Sequence, residues 1–260
     1  NVSKIYFYFI FFHLVLWTLA PSLSNENLPL DTIEALAWGS NLDWGFNKHP
    51  PLSAFAVEFV YSFFGSNDWA YYFLSQIFVI ISFIYVWKLA NEIFENKVFC
   101  LISLIILESI FFFNFTTPEF NVNVSQLPFW AICVYFFWKA INLNRTSDWI
   151  CLGIFSALGF LSKYLFIYLL VTFFLYLLSN FKNNKKLIKN YFISVSVTFL
   201  ILAPHFVWLY QNEFVTILYA LERSSLIEVG LAVVDPDGDI ENINALEDKS
   251  RLGTADPVSP

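Results

Sequence analysis

The stretch DTIEALAWGSNLDWGFNKHPPL, Asp31 to Leu52, sets two carboxylates (Asp31, Glu34), a Lys48–His49 pair and a Pro50–Pro51 break between long Phe/Ile/Leu runs. Ionisable groups are costly inside a bilayer, so a cluster of them beside apolar runs marks a working site at one membrane face. Further ionisable groups recur at Glu119, Lys163 and His205, with Arg223 as a later member. A carboxylate can take the proton of an attacking hydroxyl, and cations can neutralise a departing phosphate. Mixed acids and cations at one face therefore fit chemistry on a charged lipid headgroup.

The elements that must position these groups are membrane helices. The chain is 58% hydrophobic, 21% aromatic and 13% charged, with a mean hydropathy of +0.60, against about a quarter charged residues in a soluble domain. Several runs approach the roughly 20 apolar residues that cross a bilayer core, and the alternating strands of a barrel are absent. The expected fold is all-α: a polytopic helical membrane bundle with a long first external loop. Net charge is −7, but residues 225–260 hold eight acids against Lys249 and Arg251, which accounts for −6 of it. No basic surface points to nucleic acid. Cys100, Cys133 and Cys151 sit singly in apolar segments and read as packing residues.

Spans are expected at about 5–20, 69–88, 98–113, 124–142, 149–162, 164–181 and 191–210, with an amphipathic interfacial piece at 52–64. Lys182, Lys185, Lys186 and Lys189 form the strongest basic cluster and should be cytoplasmic. Counting back places Lys4 and the loops beside Lys88/Lys97 and Lys139/Arg145 on that side, with loops 22–68 and 114–123 outside. Residues 149–181 would make one helix of about 50 Å, too long for a single span. Two short helices turning near Ser162–Lys163 keep the basic cluster cytoplasmic and put that turn outside. Two units follow: a membrane bundle over 1–224 and an acidic tail over 225–260, poorly packed or foreign. In that tail DPDGD at 235–239 starts like a calcium loop, but Ile240 and Leu246 replace its Gly and final Glu. The chain begins at Asn1 and lacks Met, which reads as a fragment of a longer frame.

Each candidate also has a plainer reading. Asp31 fits an N-cap for a helix starting at Thr32, with Glu34 at N3 as in a capping box. Lys48 and Lys163 could snorkel to the interface. His49 could be a turn residue before Pro50, Glu119 a first-turn acid favouring the helix dipole, and His205 a packing residue beside Pro204. The Trp and Tyr residues near span ends fit an interfacial belt.

Several motifs carry a resemblance. Asp31-Thr-Ile-Glu34-Ala-Leu-Ala-Trp38-Gly39 with Gly45-Phe-Asn-Lys48-His49-Pro50-Pro51-Leu52 resembles the first external loop of bacterial glycosyltransferases of the GT-C group. That group includes relatives of the dolichyl-phosphate-mannose protein mannosyltransferases and the lipid A aminoarabinose transferases. Thr117-Pro118-Glu119-Phe120-Asn121, Leu161-Ser162-Lys163-Tyr164 and Pro204-His205-Phe-Val-Trp208 resemble later motifs in the same order, so the likeness covers 1–224.

The resemblance implies an inverting transfer of sugar from a polyprenyl-phosphate donor to an acceptor hydroxyl on lipid, glycan or protein. It places the site at the outer face of a bacterial inner membrane. It implies Asp31 as the catalytic carboxylate, with Glu34 or Glu119 orienting acceptor or sugar, and Lys48, His49, Lys163 and His205 on the lipid phosphate or substrate. No nucleotide cofactor is implied, and a divalent metal ion is possible; where relatives often carry an acid before the HPP element, this chain has Lys48. The alternatives are a non-catalytic lipid or sugar-lipid transporter and an inactive truncated relative. Transporters place ionisable groups near the midplane and show internal repeats; no repeat is seen here.

Overall fold

A computed structural model of the chain describes residues 2–179 and 185–232. Among these residues there are helices and no strand, as the unbroken apolar runs dictate: in lipid a helix satisfies its backbone groups within the segment. The helices are α1 (Val2–Ser24), α2 (Leu30–Gly39), α3 (Leu52–Phe64), α4 (Asp68–Ile93), α5 (Lys97–Glu108), α6 (Val122–Leu143), α7 (Thr146–Ser162), α8 (Ile167–Ser179), α9 (Lys185–Gln211) and α10 (Val215–Ala232). Of these, α1, α4, α6 and α9 are long and apolar enough to cross a membrane. The chain is an all-α, polytopic membrane protein.

The expected spans each coincide with a helix, but three are short: α5, α7 and α8 have 12, 17 and 13 residues. The chain leaves α7 through Lys163 in extended conformation, makes a 3-10 turn at Tyr164–Phe166 and enters α8. This break at Lys163 matches the reading of two short helices in place of one long one. Helix α10 crosses position 225, the expected start of the tail. Lys182, the last two residues of the expected span 164–181, and 233–260 with the DPDGD segment lie outside the described residues.

Side-chain contacts fix the helix directions. Tyr6 of α1 stacks on Trp87 of α4, while at the other end Asn25, just beyond α1, donates to the Tyr72 hydroxyl of α4. Phe137 of α6 meets Trp149 of α7 edge-on, and Ser162 at the far end of α7 donates to the Ser125 carbonyl of α6. Helix α8 turns back so that Phe173 stacks on Phe137. Helix α9 begins beside Asn144, which accepts from Asn190, and ends beside Tyr164. The ends of α1, α7 and α9 therefore gather with the starts of α4, α6 and α8. The opposite end carries Lys97, Arg145, Lys185 and the Lys139–Glu92 ion pair.

Helix α5 departs from the expected span 98–113. It stops at Glu108, where Asn114 Nδ2 caps the Glu108 carbonyl at 2.5 Å, and twelve residues rise only about 18 Å. A 3-10 turn at Phe111–Phe113 and the segment Thr117–Asn121 complete the crossing. In this irregular stretch Thr117 and Phe120 are fully buried, while Phe111, Phe112 and Phe115 of the 3-10 turn region are exposed; non-helical backbone at membrane depth is tolerated where protein covers it.

Helices α7 and α9 touch backbone to backbone. A Cβ on Gly153 would lie 2.5 Å from the Ser194 carbonyl oxygen and 2.8 Å from Val197 Cβ, and Thr198 Oγ1 donates to the Gly153 carbonyl at 3.0 Å. Small residues at such crossings let membrane helices pack closely. Gly153→Val must force them apart, with a destabilisation of about 2 kcal/mol or more; a lower thermal unfolding midpoint in detergent is the expected result.

Candidate active site

Two segments far apart in sequence build the site floor. Helix α2 starts at Leu30 with Pro29 as N-cap and no side-chain cap, so the Asp31 carboxylate is not used in capping, contrary to its plainer reading. It instead accepts from Asn121 Nδ2 at 3.3 Å, while the Asp31 backbone N–H donates to Glu119 Oε1 at 3.3 Å. Thr32, next in the chain, donates to the Phe120 carbonyl at 3.1 Å. Asn121 serves twice: its Oδ1 caps α6 by accepting from the Asn123 and Val124 N–H groups. The carboxylate at the start of α2 is thus tied to the N-terminus of α6.

A narrow cleft opens over this floor, lined by Asp31, Glu34, Trp38, His49, Ser53 and Asn121. Glu34 lies one turn after Asp31 and pairs with Lys48 Nζ at 2.5 Å. That hydrogen bond lifts the Lys48 ammonium above the usual lysine range. Burial pushes His49 below its ordinary value, with the Lys163 charge acting in the same direction, so the imidazole is neutral at pH 7. Lys163 donates to Asn123 Oδ1 at 2.5 Å. Burial holds its ammonium below the usual lysine range, opposed by the Asp31 carboxylate. The cleft therefore has an exposed carboxylate on its floor and a half-buried cation within electrostatic reach. Among the described residues no three His, Cys, Asp or Glu side chains gather as a metal-ligand set. Lys48, protonated and paired with Glu34, has no lone pair to offer a metal ion.

His205 sits differently. It is fully buried, its Nδ1 lies 2.6 Å from the Trp44 carbonyl oxygen and its Nε2 lies 2.8 Å from the Tyr164 hydroxyl. A carbonyl can only accept, so Nδ1 carries the proton and Nε2 accepts from Tyr164. With both nitrogens occupied, His205 fastens the loop Asp43–Phe46 to the end of α9 and does not line the cleft. Thr216 of α10 adds a bond to the Phe46 carbonyl at 2.6 Å. Gly45 lies flat on Trp208, whose ring a Cβ would meet at 2.3 Å. Arg223 lies along α10, donating to the Tyr219 hydroxyl.

The structure thus gathers Asp31, Glu34, Glu119, Lys48, His49 and Lys163 at one end of the bundle. Three polar residues there received no site role from the sequence: Asn121, which closes the Thr117–Asn121 motif, Asn123 and Ser53. The two asparagines are uncharged and look like loop residues. Ser53 reads as part of an amphipathic helix; in the structure it is 1% exposed, lines the cleft and its Oγ has no partner. A buried hydroxyl without a partner is costly, and this one lies in the wall of the cleft.

An all-α membrane bundle with carboxylates and cations collected at one end fits a membrane transferase. Residues 48–208 match the model of the dolichyl-phosphate-mannose-protein mannosyltransferase family. The match takes in more than half of the chain, and the chain belongs to that family of glycosyltransferases. It includes Lys48, His49, Glu119, Lys163 and His205; Asp31 and Glu34 precede it, so their place in the site rests on the geometry above. The chain matches no curated protein and no solved structure.

Ser53→Ala removes a hydroxyl that nothing in the protein satisfies. The unfolding midpoint should stay or rise. If the hydroxyl bonds the glycosyl donor, the donor KM should rise by up to about tenfold, the worth of one hydrogen bond; an unchanged KM would exclude that contact.

Proposed function

We propose that this chain transfers a sugar from a polyprenyl-phosphate donor to an acceptor hydroxyl at the outer face of a bacterial inner membrane, with inversion at the anomeric carbon. The observation that carries the reading is the convergence of Asp31, held by Asn121 and Glu119, with Lys163 and His49 at one end of a bundle from a glycosyltransferase family. The end opposite this cleft carries most of the lysines, which favours the cytoplasm for that end and the exterior for the cleft.

In this reading the acceptor oxygen bonds the anomeric carbon as the bond from that carbon to the phosphate oxygen breaks. The electron pair leaves on the polyprenyl phosphate, and the hydroxyl proton passes to the Asp31 carboxylate as general base. Asn121 orients that carboxylate, and Glu119 holds the backbone beneath it. Lys163 and Lys48 offset the phosphate charge, and neutral His49 can donate one hydrogen bond to it. Glu34 keeps Lys48 in place and faces the sugar. His205, with both nitrogens engaged, contributes by holding the loop that carries Lys48 and His49. An apolar cavity of about 420 Å³ between α7, α8 and α9, lined by Phe160, Phe174, Phe199 and Phe206, suits an isoprenoid chain. Phe160 reaches the site end, its ring 5.1 Å from that of Tyr164.

Asp31→Asn keeps the bond geometry and removes the base, so kcat for transfer from lipid-linked sugar should fall at least about a hundredfold; near-wild-type turnover would rule out the role. Lys163 supplies a second test. Burial lowers its ammonium from the usual lysine range, opposed by the Asp31 carboxylate, so its charge is lost as pH rises through that lowered value. The alkaline limb of kcat should therefore lie below the range of an ordinary lysine. Lys163→Arg, charged throughout, should move that limb upward, and a limb unmoved by the substitution would assign it elsewhere.

A further inference from the structure

A second polar cluster lies inside the bundle, away from the cleft. His13 of α1 is 4% exposed and Gln76 of α4 is fully buried. His13 Nε2 lies 2.9 Å from Gln76 Oε1, and Gln76 Nε2 donates to Thr117 Oγ1 at 3.3 Å. On its other side His13 Nδ1 lies 2.9 Å from Glu108 Oε2, off the ideal hydrogen-bond direction. Trp17 Nε1 donates to Glu108 Oε1 at 3.3 Å. Ionisable residues within spans carry function by default, and neither His13 nor Glu108 belongs to the site described above.

The hydrogen-bond directions follow from counting protons. The Thr117 hydroxyl donates its one proton to the Asn114 carbonyl at 2.8 Å, so towards Gln76 it can only accept. Gln76 must then present its NH2 to Thr117 and its oxygen to His13, which makes His13 Nε2 the donor. On the other side of the ring His13 Nδ1 and Glu108 Oε2 lie close but without hydrogen-bond geometry.

The chain of bonds ends on the segment that builds the cleft floor. Thr117 is gripped at its hydroxyl by Gln76 and at its carbonyl by Ser75. Pro118 follows, then Glu119, Phe120 and Asn121, each bonded to the first turn of α2. We propose that Gln76 and Thr117, with His13 and Glu108 behind them, are positioning residues that set the Asp31 carboxylate through the Thr117–Asn121 segment. This rests on the reading of Asp31 as general base. Ser75 and Gln76, neighbours on α4, hold Thr117 at its carbonyl and its hydroxyl, whereas the 3-10 turn before it is lined by exposed or half-buried phenylalanines. Removing the Gln76 amide frees Thr117 on one side and leaves the His13 donor unsatisfied on the other.

The test uses the full chain in lipid nanodiscs. Hydrogen exchange followed by mass spectrometry should show Gln76→Leu speeding exchange over 114–121 at least about fivefold with α6 and α7 unchanged, a local opening and not a global one. With dolichyl-phosphate mannose as donor probe and the source membrane extract as acceptor, Gln76→Leu and Thr117→Val should lower kcat about tenfold and leave the donor KM within about twofold. Thr117→Ser, which keeps the hydroxyl, should restore both. In a Glu119→Gln background, Gln76→Leu should add little, because both act through one segment. Unchanged exchange over 114–121, exchange rising equally in every helix, or failure of Thr117→Ser to restore it would overturn the proposal. Asp31→Asn run alongside separates the two claims: full turnover there removes the general-base reading, whereas the exchange result stands or falls by itself.

Discussion

Everything at the site end depends on the seam where the first turn of α2 meets the segment Thr117–Asn121. Three bonds cross it, from Asp31 N–H to Glu119, from Thr32 to the Phe120 carbonyl and from Asn121 to the Asp31 carboxylate. They join residues 88 to 90 positions apart. The Thr32–Phe120 bond is the buried one, and the cost of leaving its hydroxyl and carbonyl unpaired specifies the seam, while the two bonds at Asp31 lie at its exposed edge. The same bonds that close the fold also aim the carboxylate.

Around the seam, asparagines and the buried His205 hold the frame, while Asp31, Glu34 and His49 line the cleft. Asn121 caps α6 and steadies Asp31, Asn123 holds Lys163, and the buried His205–Tyr164 pair fastens the loop that brings Lys48 and His49 in. Charges follow from this arrangement. Lys48 is paired and firmly protonated, Lys163 is half-buried and easier to neutralise, and His49 is uncharged. One phosphate-sized anion beside Lys163 would restore the balance that burial removes.

Much of this architecture was legible in the sequence because lipid imposes simple rules. Apolar length marked the helices, and lysine placement required a break near Lys163, where the chain does leave α7. Asp31, Glu34, Glu119, Lys48, His49 and Lys163 stood out as ionisable exceptions. What could not be read depends on partners. The end of α5 at Glu108 is set by its approach to His13 and the cap from Asn114, and apolar length alone carried the expected span on to 113. His13 and Glu108 fall within expected spans but were not singled out, since only packing shows that they face each other. Ser53 and Asn121 carry no charge signal, and the engagement of both His205 nitrogens depends on a carbonyl at Trp44, 161 residues away. The start of α2 at Leu30 turned on Pro29 taking the N-cap in place of Asp31.

The central claim is that two remote loops form one floor, and proximity tests it directly. In a background with Cys100, Cys133 and Cys151 each changed to Ser, the pair Asp31→Cys and Asn121→Cys should be joined by a short thiol-specific bifunctional cross-linker, detected by mass spectrometry of the intact protein in membranes. Side-chain ends that now meet at 3.3 Å put both thiols within reach of such a linker, with no need for the stricter geometry of a disulfide. Efficient cross-linking is the result expected; two thiols each modified singly, with no cross-linked product, would show the loops apart and remove the site.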